Sequence, residues 1–214
     1  MSSMADDVRE RSFGQDREPS AVDRWGIWLS SRRIRSAAGP FEGKSVIDVG
    51  CGYHAAFART LLPEVAGLTL LDVSVAPELR RVPKVNVIEG VLPQALAGIG
   101  DESVDVVICN SVLEHLWAPS DALGEFHRVL RPTGVCFLNV PSWRGKAFLE
   151  FSAFRLGLSP AEEMDDHKRY YDPRDLWPDL VRAGFRPHDI VCRRHKFTLN
   201  TFAICRKATG AGVT

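Results

Sequence analysis

The sequence carries no excess charge of either sign, because Lys and Arg number 27 of its 214 residues and Asp and Glu also number 27. A chain of zero net charge sets up no strong field toward nucleic acid or an anionic membrane, so neither partner is expected. The chain also lacks any apolar run near the length that a bilayer span needs. The polar stretch from Met1 to Ser20 lacks the apolar core of a secretory signal. These absences together predict a cytoplasmic protein.

Cysteine is scarce and scattered, since the chain has five, an odd number. Most of them lie in apolar runs that are typical of strands, where cysteine acts as a small hydrophobic side chain. Their spacing is not that of a zinc site, so we predict no metal centre. Thiols of this kind suit a reducing compartment, in agreement with the cytoplasmic prediction. The five are Cys51, Cys109, Cys136, Cys192 and Cys205.

What the sequence does contain is a strand, a tight turn and the start of a helix within residues 46–54. A β-branched run includes Asp48, and Gly50 and Gly52 then flank Cys51. Glycine lets the backbone turn sharply and approach a ligand, because no Cβ stands in the way. The helix that we expect next offers free N–H groups and the positive end of its dipole. This arrangement predicts a cradle for a nucleotide cofactor at the carboxyl end of the first strand.

Strands and helices alternate along most of the chain, and the strands are apolar on both faces. This pattern predicts an α/β fold with a doubly wound, mostly parallel sheet covered by helices on both sides. Toward the end of the chain, two strands joined by a short polar turn predict an antiparallel hairpin. Ser20 and Ser120 are the predicted N-caps of their helices. The predicted strands are 44–49, 68–72, 84–88, 104–109, 135–140, 187–193 and 197–206, and the predicted helices are 20–37, 55–62, 77–81, 120–130 and 172–183.

Several of these segments, taken in order, resemble the motifs of the class I S-adenosylmethionine-dependent methyltransferases. They are Asp48–Gly52, Leu70–Asp72, Ser103–His115 and Ala122–Gly134, followed by the terminal hairpin. The stretch 166–173 is similar to a subgroup that often modifies small metabolites or sugars. The resemblance implies a seven-stranded Rossmann-like sheet and S-adenosylmethionine as cofactor. It also implies transfer of a methyl group to an oxygen or nitrogen of a small-molecule acceptor, by a monomer or homodimer.

The domain organisation expected on this basis has four parts. Residues 1–19 are predicted to be a disordered tail, and residues 20–43 an N-terminal helical extension. Residues 44–207 would form the methyltransferase domain, with 142–167 as a lid or acceptor-binding insert. Residues 208–214 would form a short tail.

The resemblance also assigns cofactor contacts to individual residues. Gly50 and Gly52 would let the backbone pass the methionine portion, and Asp72 would accept hydrogen bonds from the ribose hydroxyls. Asp48 either organises the turn or meets the amino group of the cofactor. Glu89 is the candidate on the adenine side. The full set of predicted cofactor-binding residues is Asp48, Gly50, Cys51, Gly52, Asp72, Glu89 and Asn110.

Two histidines are the candidate catalytic residues. His167 or His115 would accept the proton of a hydroxyl acceptor as a general base. For His115, the alternative is a packed side chain that supports the cofactor loop.

Two other functions stay open at the level of sequence. His54 stands where the family often has a third glycine, so a non-catalytic S-adenosylmethionine-binding protein is one alternative. Gly50 to Ala55 also satisfies the Gly-x-Gly-x-x-Gly/Ala fingerprint, so an NAD-dependent oxidoreductase is the other.

Overall fold

The computed structural model describes residues 11–16, 18–148 and 167–209. Seven strands form one sheet in the order β3-β2-β1-β4-β5-β7-β6. Strands β1 to β5 pair in parallel, and β7 runs antiparallel to both β5 and β6. The predicted fold class and the terminal hairpin are therefore confirmed. The strands are β1 (Ser45–Val49), β2 (Gly67–Asp72), β3 (Val85–Glu89), β4 (Val104–Asn110), β5 (Leu130–Pro141), β6 (Ile190–His195) and β7 (Asn200–Arg206).

Three α-helices have bounds within the described residues: α1 (Ala21–Ala38), α2 (Pro119–Val129) and α3 (Pro173–Arg182). Ser20 caps α1 as predicted, because its hydroxyl accepts from Asp23 N while the Asp23 carboxylate accepts from Ser20 N. The predicted cap at Ser120 is wrong, since α2 begins at Pro119 and Ser120 lies inside its first turn. Proline is favoured at the first helical position, where a missing N–H costs nothing.

The helix predicted over residues 55–62 is not an α-helix, and the segment forms only a 3-10 helix from Ala58 to Leu61. Ala55 has φ +46°, so the tight turn extends past the second glycine and uses residues that a helix would need. The glycine turn is therefore not followed by an α-helix N-terminus, in contrast to the cradle predicted from the sequence.

Two hydrophobic clusters sandwich the sheet. One holds α2 and α3 against Ile47, Val49 and their neighbours, and the other holds α1 and the 58–61 segment against Val46 and its neighbours. Successive residues of β1 thus face opposite layers, as alternation along a strand requires. Among the described helices, none combines the length and the apolar character that crossing a membrane would take.

The hairpin differs from its prediction in where it turns. The strands end and begin at His195 and Asn200, so the turn comprises residues 196–199 rather than 194–196. Three successive residues of this turn, Lys196, Phe197 and Thr198, have φ of +47°, +56° and +73°. Non-glycine residues rarely adopt this left-handed conformation, so the surrounding structure must hold the turn in place.

Candidate functional site

The carboxyl ends of β1, β2 and β4 meet at one edge of the sheet. Asp48 pairs with Leu70 of β2 and with Ile108 of β4, so the residues that follow these strands lie side by side. The direction of strand order reverses between β1 and β4, which is the position where α/β sheets bind their ligands. The glycine turn, Asp72 and Asn110 therefore share this edge, as the sequence predicts.

The two glycines of the turn are required by their surroundings. Gly50 has φ +71°, and a Cβ built on it would lie 2.0 Å from Cγ2 of Val112. Gly52 has φ +73°, and its N–H donates to the Asp72 carboxylate at 2.8 Å. The first contact brings the segment after β4 directly against the turn that follows β1.

Asp72 is the centre of the hydrogen bonds at this edge. Its Oδ2 accepts from Gly52 N and its Oδ1 accepts from Val73 N, each at 2.8 Å. The Ser12 hydroxyl lies 2.5 Å from both Asp72 Oδ1 and the Ser74 carbonyl oxygen, so these two acceptors share its one proton. Ser12 is buried, and its Oγ also accepts from Ser74 N at 2.9 Å. Asp72 thus lies where the sequence predicts, with three donors already on its carboxylate.

Ser12 belongs to a segment, residues 11–16, that we name the strap. Within the strap, Phe13 accepts a hydrogen bond from Tyr53 N at 2.9 Å, and a Cβ on Gly52 would lie 3.3 Å from the Phe13 carbonyl oxygen. The strap therefore lies across the glycine turn, although the sequence predicts disorder for residues 1–19. Its composition is polar, and only the tertiary contacts distinguish it from a disordered tail. His54 is exposed and packs edge-on to the Tyr53 ring.

Asp48 is 4% exposed and lies beneath the turn. Burial, and after it the charge of Asp72, raises the pKa of Asp48 to about 8. The raised pKa favours the neutral carboxylic acid, which can donate a hydrogen bond. Cys51 is partly buried beside it, and burial followed by the charge of Asp48 raises the pKa of the thiol.

Glu89 and Asn110 hold other structural elements at this edge. Glu89 accepts from Val75 N at 2.8 Å and forms an ion pair with Arg80, so it ties the end of β3 to the loop after β2. The Asn110 side-chain oxygen accepts from the buried Asn139 amide at 2.9 Å. Both side chains lie at the predicted edge of the sheet, each already bonded to protein groups.

The second part of the site is a cluster of Glu114, His115 and His167, which we name the histidine cluster. One ligand atom from each of these side chains lies within 4.8 Å of the others, and the two imidazole centroids are 4.9 Å apart. Lys168 N and Arg169 N donate to the Glu114 carbonyl oxygen at 2.7 and 3.2 Å, which fixes the distant segment against the end of β4. The structure therefore brings the two predicted catalytic histidines together.

The surroundings of the histidine cluster orient its side chains. The Tyr170 hydroxyl lies 3.1 Å from Nδ1 of His167, and the Glu114 side chain is 1% exposed. A carboxylate with two imidazoles is a donor set that a divalent transition metal accepts, and the same groups also suit proton transfer. Most of the predicted lid, residues 149–166, lies outside the described residues.

One further charged residue near this cluster stands out only in three dimensions. In the sequence, Lys196 belongs to a basic group that runs from Arg193 to Lys196. This group predicts either a solvated turn or a binding site for an anionic group of the acceptor. In the structure Arg193 and Arg194 are exposed on β6, whereas Lys196 turns inward and is only partly exposed. The charge of Glu114 acts on it across the site.

Comparisons with known proteins agree with this geometry. A family model described as "Methyltransferase domain" matches residues 27–190. The chain is 32% identical over 154 residues to a Mycolicibacterium smegmatis protein named "Probable S-adenosylmethionine-dependent methyltransferase", covering 70% of this chain and 54% of that protein. It is 29% identical over 158 residues to the "Ubiquinone biosynthesis O-methyltransferase" of Pseudomonas syringae pv. tomato, covering 70% and 67%. The chain thus spans about half the length of the first relative.

Solved structures share the fold at lower identity. An S-adenosylmethionine-dependent methyltransferase from Archaeoglobus fulgidus aligns with a TM-score of 0.60 at 16% identity, covering 84% of this chain and 94% of that one. A phosphoethanolamine N-methyltransferase from Haemonchus contortus aligns with a TM-score of 0.63 at 14% identity, covering 86% and 54%. These similarities support the same sheet architecture.

Proposed function

Since this chain belongs to the methyltransferase-domain family, we propose that it transfers the methyl group of S-adenosylmethionine to an oxygen or nitrogen atom of a small-molecule acceptor. The family and the cofactor predicted from the sequence are confirmed. The observation that carries the proposal is the position of the histidine cluster. Glu114 and His115 follow Val112, whose side chain packs on Gly50, and His167 lies beside them. The candidate bases are therefore close to the glycine turn.

The residues around the turn fit the cofactor. Gly50 and Gly52 leave backbone without side chains at the carboxyl end of β1, and Asp72 offers a carboxylate for the ribose hydroxyls. Asp48, whose raised pKa favours the neutral acid, would donate a hydrogen bond to the turn or to the cofactor. Further contacts in our proposal come from Cys51 in the turn, Asn110 on the methionine side and Glu89 on the adenine side.

When bound, S-adenosylmethionine supplies the methyl group in activated form, so the chain has two remaining tasks. It must hold the acceptor atom in line with the methyl carbon, which removes much of the entropic cost of the reaction. For a hydroxyl acceptor, it must also remove a proton, and His167 or His115 accepts it. Tyr170 at Nδ1 of His167 holds the orientation of that ring. A base next to the turn favours an oxygen acceptor, as does the name of the Pseudomonas relative.

The test separates cofactor binding from chemistry. Calorimetric titration with S-adenosylmethionine, S-adenosylhomocysteine and NADH should give binding for the first two only. Transfer of labelled methyl groups to a panel of hydroxyl and amine acceptors then identifies the acceptor class. His167→Ala should keep the affinity for S-adenosylmethionine and lower kcat by about 10²–10⁴-fold, as expected for loss of a general base.

Each alternative function has its own result in the same experiment. Cofactor binding without transfer to any acceptor would favour a non-catalytic binding protein. Binding of NADH alone would favour an oxidoreductase. Full turnover in both His167→Ala and His115→Ala would show that neither histidine is the base.

A further inference from the structure

The left-handed turn between β6 and β7 is held on several sides. Ser142 Oγ donates to the Thr198 carbonyl oxygen at 2.8 Å, and Ser142 N donates to the Leu199 carbonyl oxygen at 2.9 Å. Leu199 N closes the turn by donating to the Lys196 carbonyl oxygen at 3.0 Å. A backbone conformation that is locally unfavourable persists only where its surroundings fix it, and such turns cluster at functional sites. The turn therefore presents the Lys196 side chain in a defined direction.

The turn and the candidate site lie at the same edge of the sheet. Pro141 at the end of β5 pairs with Asn200 at the start of β7, so the turn lies at the same edge of the sheet as the histidine cluster. A Cβ built on Gly26 would lie 3.6 Å from Lys196 Nζ, so the ammonium group lies against α1 where that helix has no side chain. Beside it, the rings of Trp25 and Phe197 stack at a centroid distance of 6.1 Å.

The ammonium group of Lys196 differs from those of other lysines in its bonding. Lys44 and Lys84 each donate to a backbone carbonyl, and Lys207 pairs with Glu102 at 3.2 Å. Within residues 11–16, 18–148 and 167–209, Lys196 Nζ makes no hydrogen bond or ion pair, and the charge of Glu114 reaches it only through space. A largely buried ammonium with three unused donors is costly unless something compensates it. Burial accordingly lowers its pKa to about 8, against the opposing effect of Glu114.

We propose that Lys196 binds an oxyanion of the methyl acceptor, a carboxylate or a phosphate, so that the substrate is an acidic small molecule. The anionic group would lie against α1 at Gly26, between the ammonium and the Trp25–Phe197 pair. The rest of the acceptor then extends toward the histidine cluster. This inference rests on the proposed function and adds the substrate class to it. Lys196 is a binding residue here and takes no part in proton transfer.

The experiment uses benzoate, phenyl phosphate and the neutral isostere benzamide as probes. Each is titrated calorimetrically into the full-length protein saturated with S-adenosylhomocysteine. We expect benzoate or phenyl phosphate to bind at least tenfold more tightly than benzamide, and the better of the two identifies the oxyanion. Lys196→Met should abolish this preference, and Lys196→Arg should retain part of it. Lys84→Met, which removes the same charge at the opposite edge of the sheet, should leave it unchanged.

Two results would overturn the inference. One is an unchanged preference for the anionic probes in Lys196→Met, and the other is equal or undetectable binding of all three probes to the wild type. Thermal melting shows whether Lys196→Met is folded. If Lys196→Met is unstable, the preference for anionic probes is compared between the wild type and Lys196→Arg. Because the assay measures binding and no methyl transfer, its outcome is independent of whether His167 or His115 proves to be the base.

Discussion

Replacing Ser12 by alanine is expected to tighten the binding of S-adenosylmethionine. A carboxylate can accept hydrogen bonds at about four lone-pair positions. The Asp72 carboxylate already has three donors: Gly52 N, Val73 N and the Ser12 hydroxyl. A ribose diol bound through both hydroxyls needs two positions. Val73 N belongs to the residue after Asp72 and Gly52 N to the glycine turn, so the Ser12 hydroxyl on the strap is the donor that must leave.

The size of the effect follows from that one hydrogen bond. A hydrogen bond to a charged group contributes about 1.5–3 kcal/mol, and the cofactor must break it before it binds. Water replaces part of this contribution in the variant, so we expect about 1.4 kcal/mol, or roughly a tenfold lower Kd. The contact between Phe13 and Tyr53 remains, so the strap is loosened and not removed.

The assay is calorimetric titration with S-adenosylmethionine of the wild type, Ser12→Ala and the control Ser103→Ala. Ser103 is a matched control, because its hydroxyl donates to the Gly100 carbonyl oxygen away from the site. Tryptic cleavage after Arg11 should also become faster when the cofactor is added to the wild type. Weaker binding by Ser12→Ala would refute the reasoning and make Ser12 part of the cofactor site, and an unchanged Kd would show that the two do not compete.

Three further predictions concern the glycine turn and the helix beside it. Gly50→Ala should lower stability by more than Gly43→Ala, since both positions have positive φ but only Gly50 would clash with Val112; equal losses in urea unfolding would contradict the packing argument. Because the pKa of Asp48 is raised from 3.8 to about 8, the folded state holds a proton that the unfolded state has lost. The stability of the wild type should therefore fall as pH rises from about 4 to 8. The stability of Asp48→Asn, measured by thermal melting, should fall less over the same range. Ser20→Ala should cost about 1 kcal/mol through loss of the capping box, and an unchanged melting curve would argue against that role.

Local sequence was enough to predict most elements of the sheet. The apolar runs of the parallel strands bury both faces, and this signal depends only on neighbouring residues. The cap of α1 likewise depends on two residues that are three positions apart, Ser20 and Asp23. The predictions failed where a helix starts at another residue than expected, as at the 3-10 helix after the glycine turn and at Pro119 of α2. The hairpin turn moved because strand pairing with β5, which is a long-range contact, decides its register.

The candidate site also combines features that the sequence predicts with contacts that it does not predict. By itself, the sequence determined the glycine turn, Asp72 and the order of the motifs, because the chemistry of a cofactor cradle is concentrated in a few adjacent residues. Only the tertiary structure decided that Ser12 reaches Asp72 across 60 positions of the chain, that His115 meets His167, and that Lys196 turns inward. These contacts join segments far apart in sequence through the packing of the sheet edge, and no local pattern encodes which distant side chains that packing brings together.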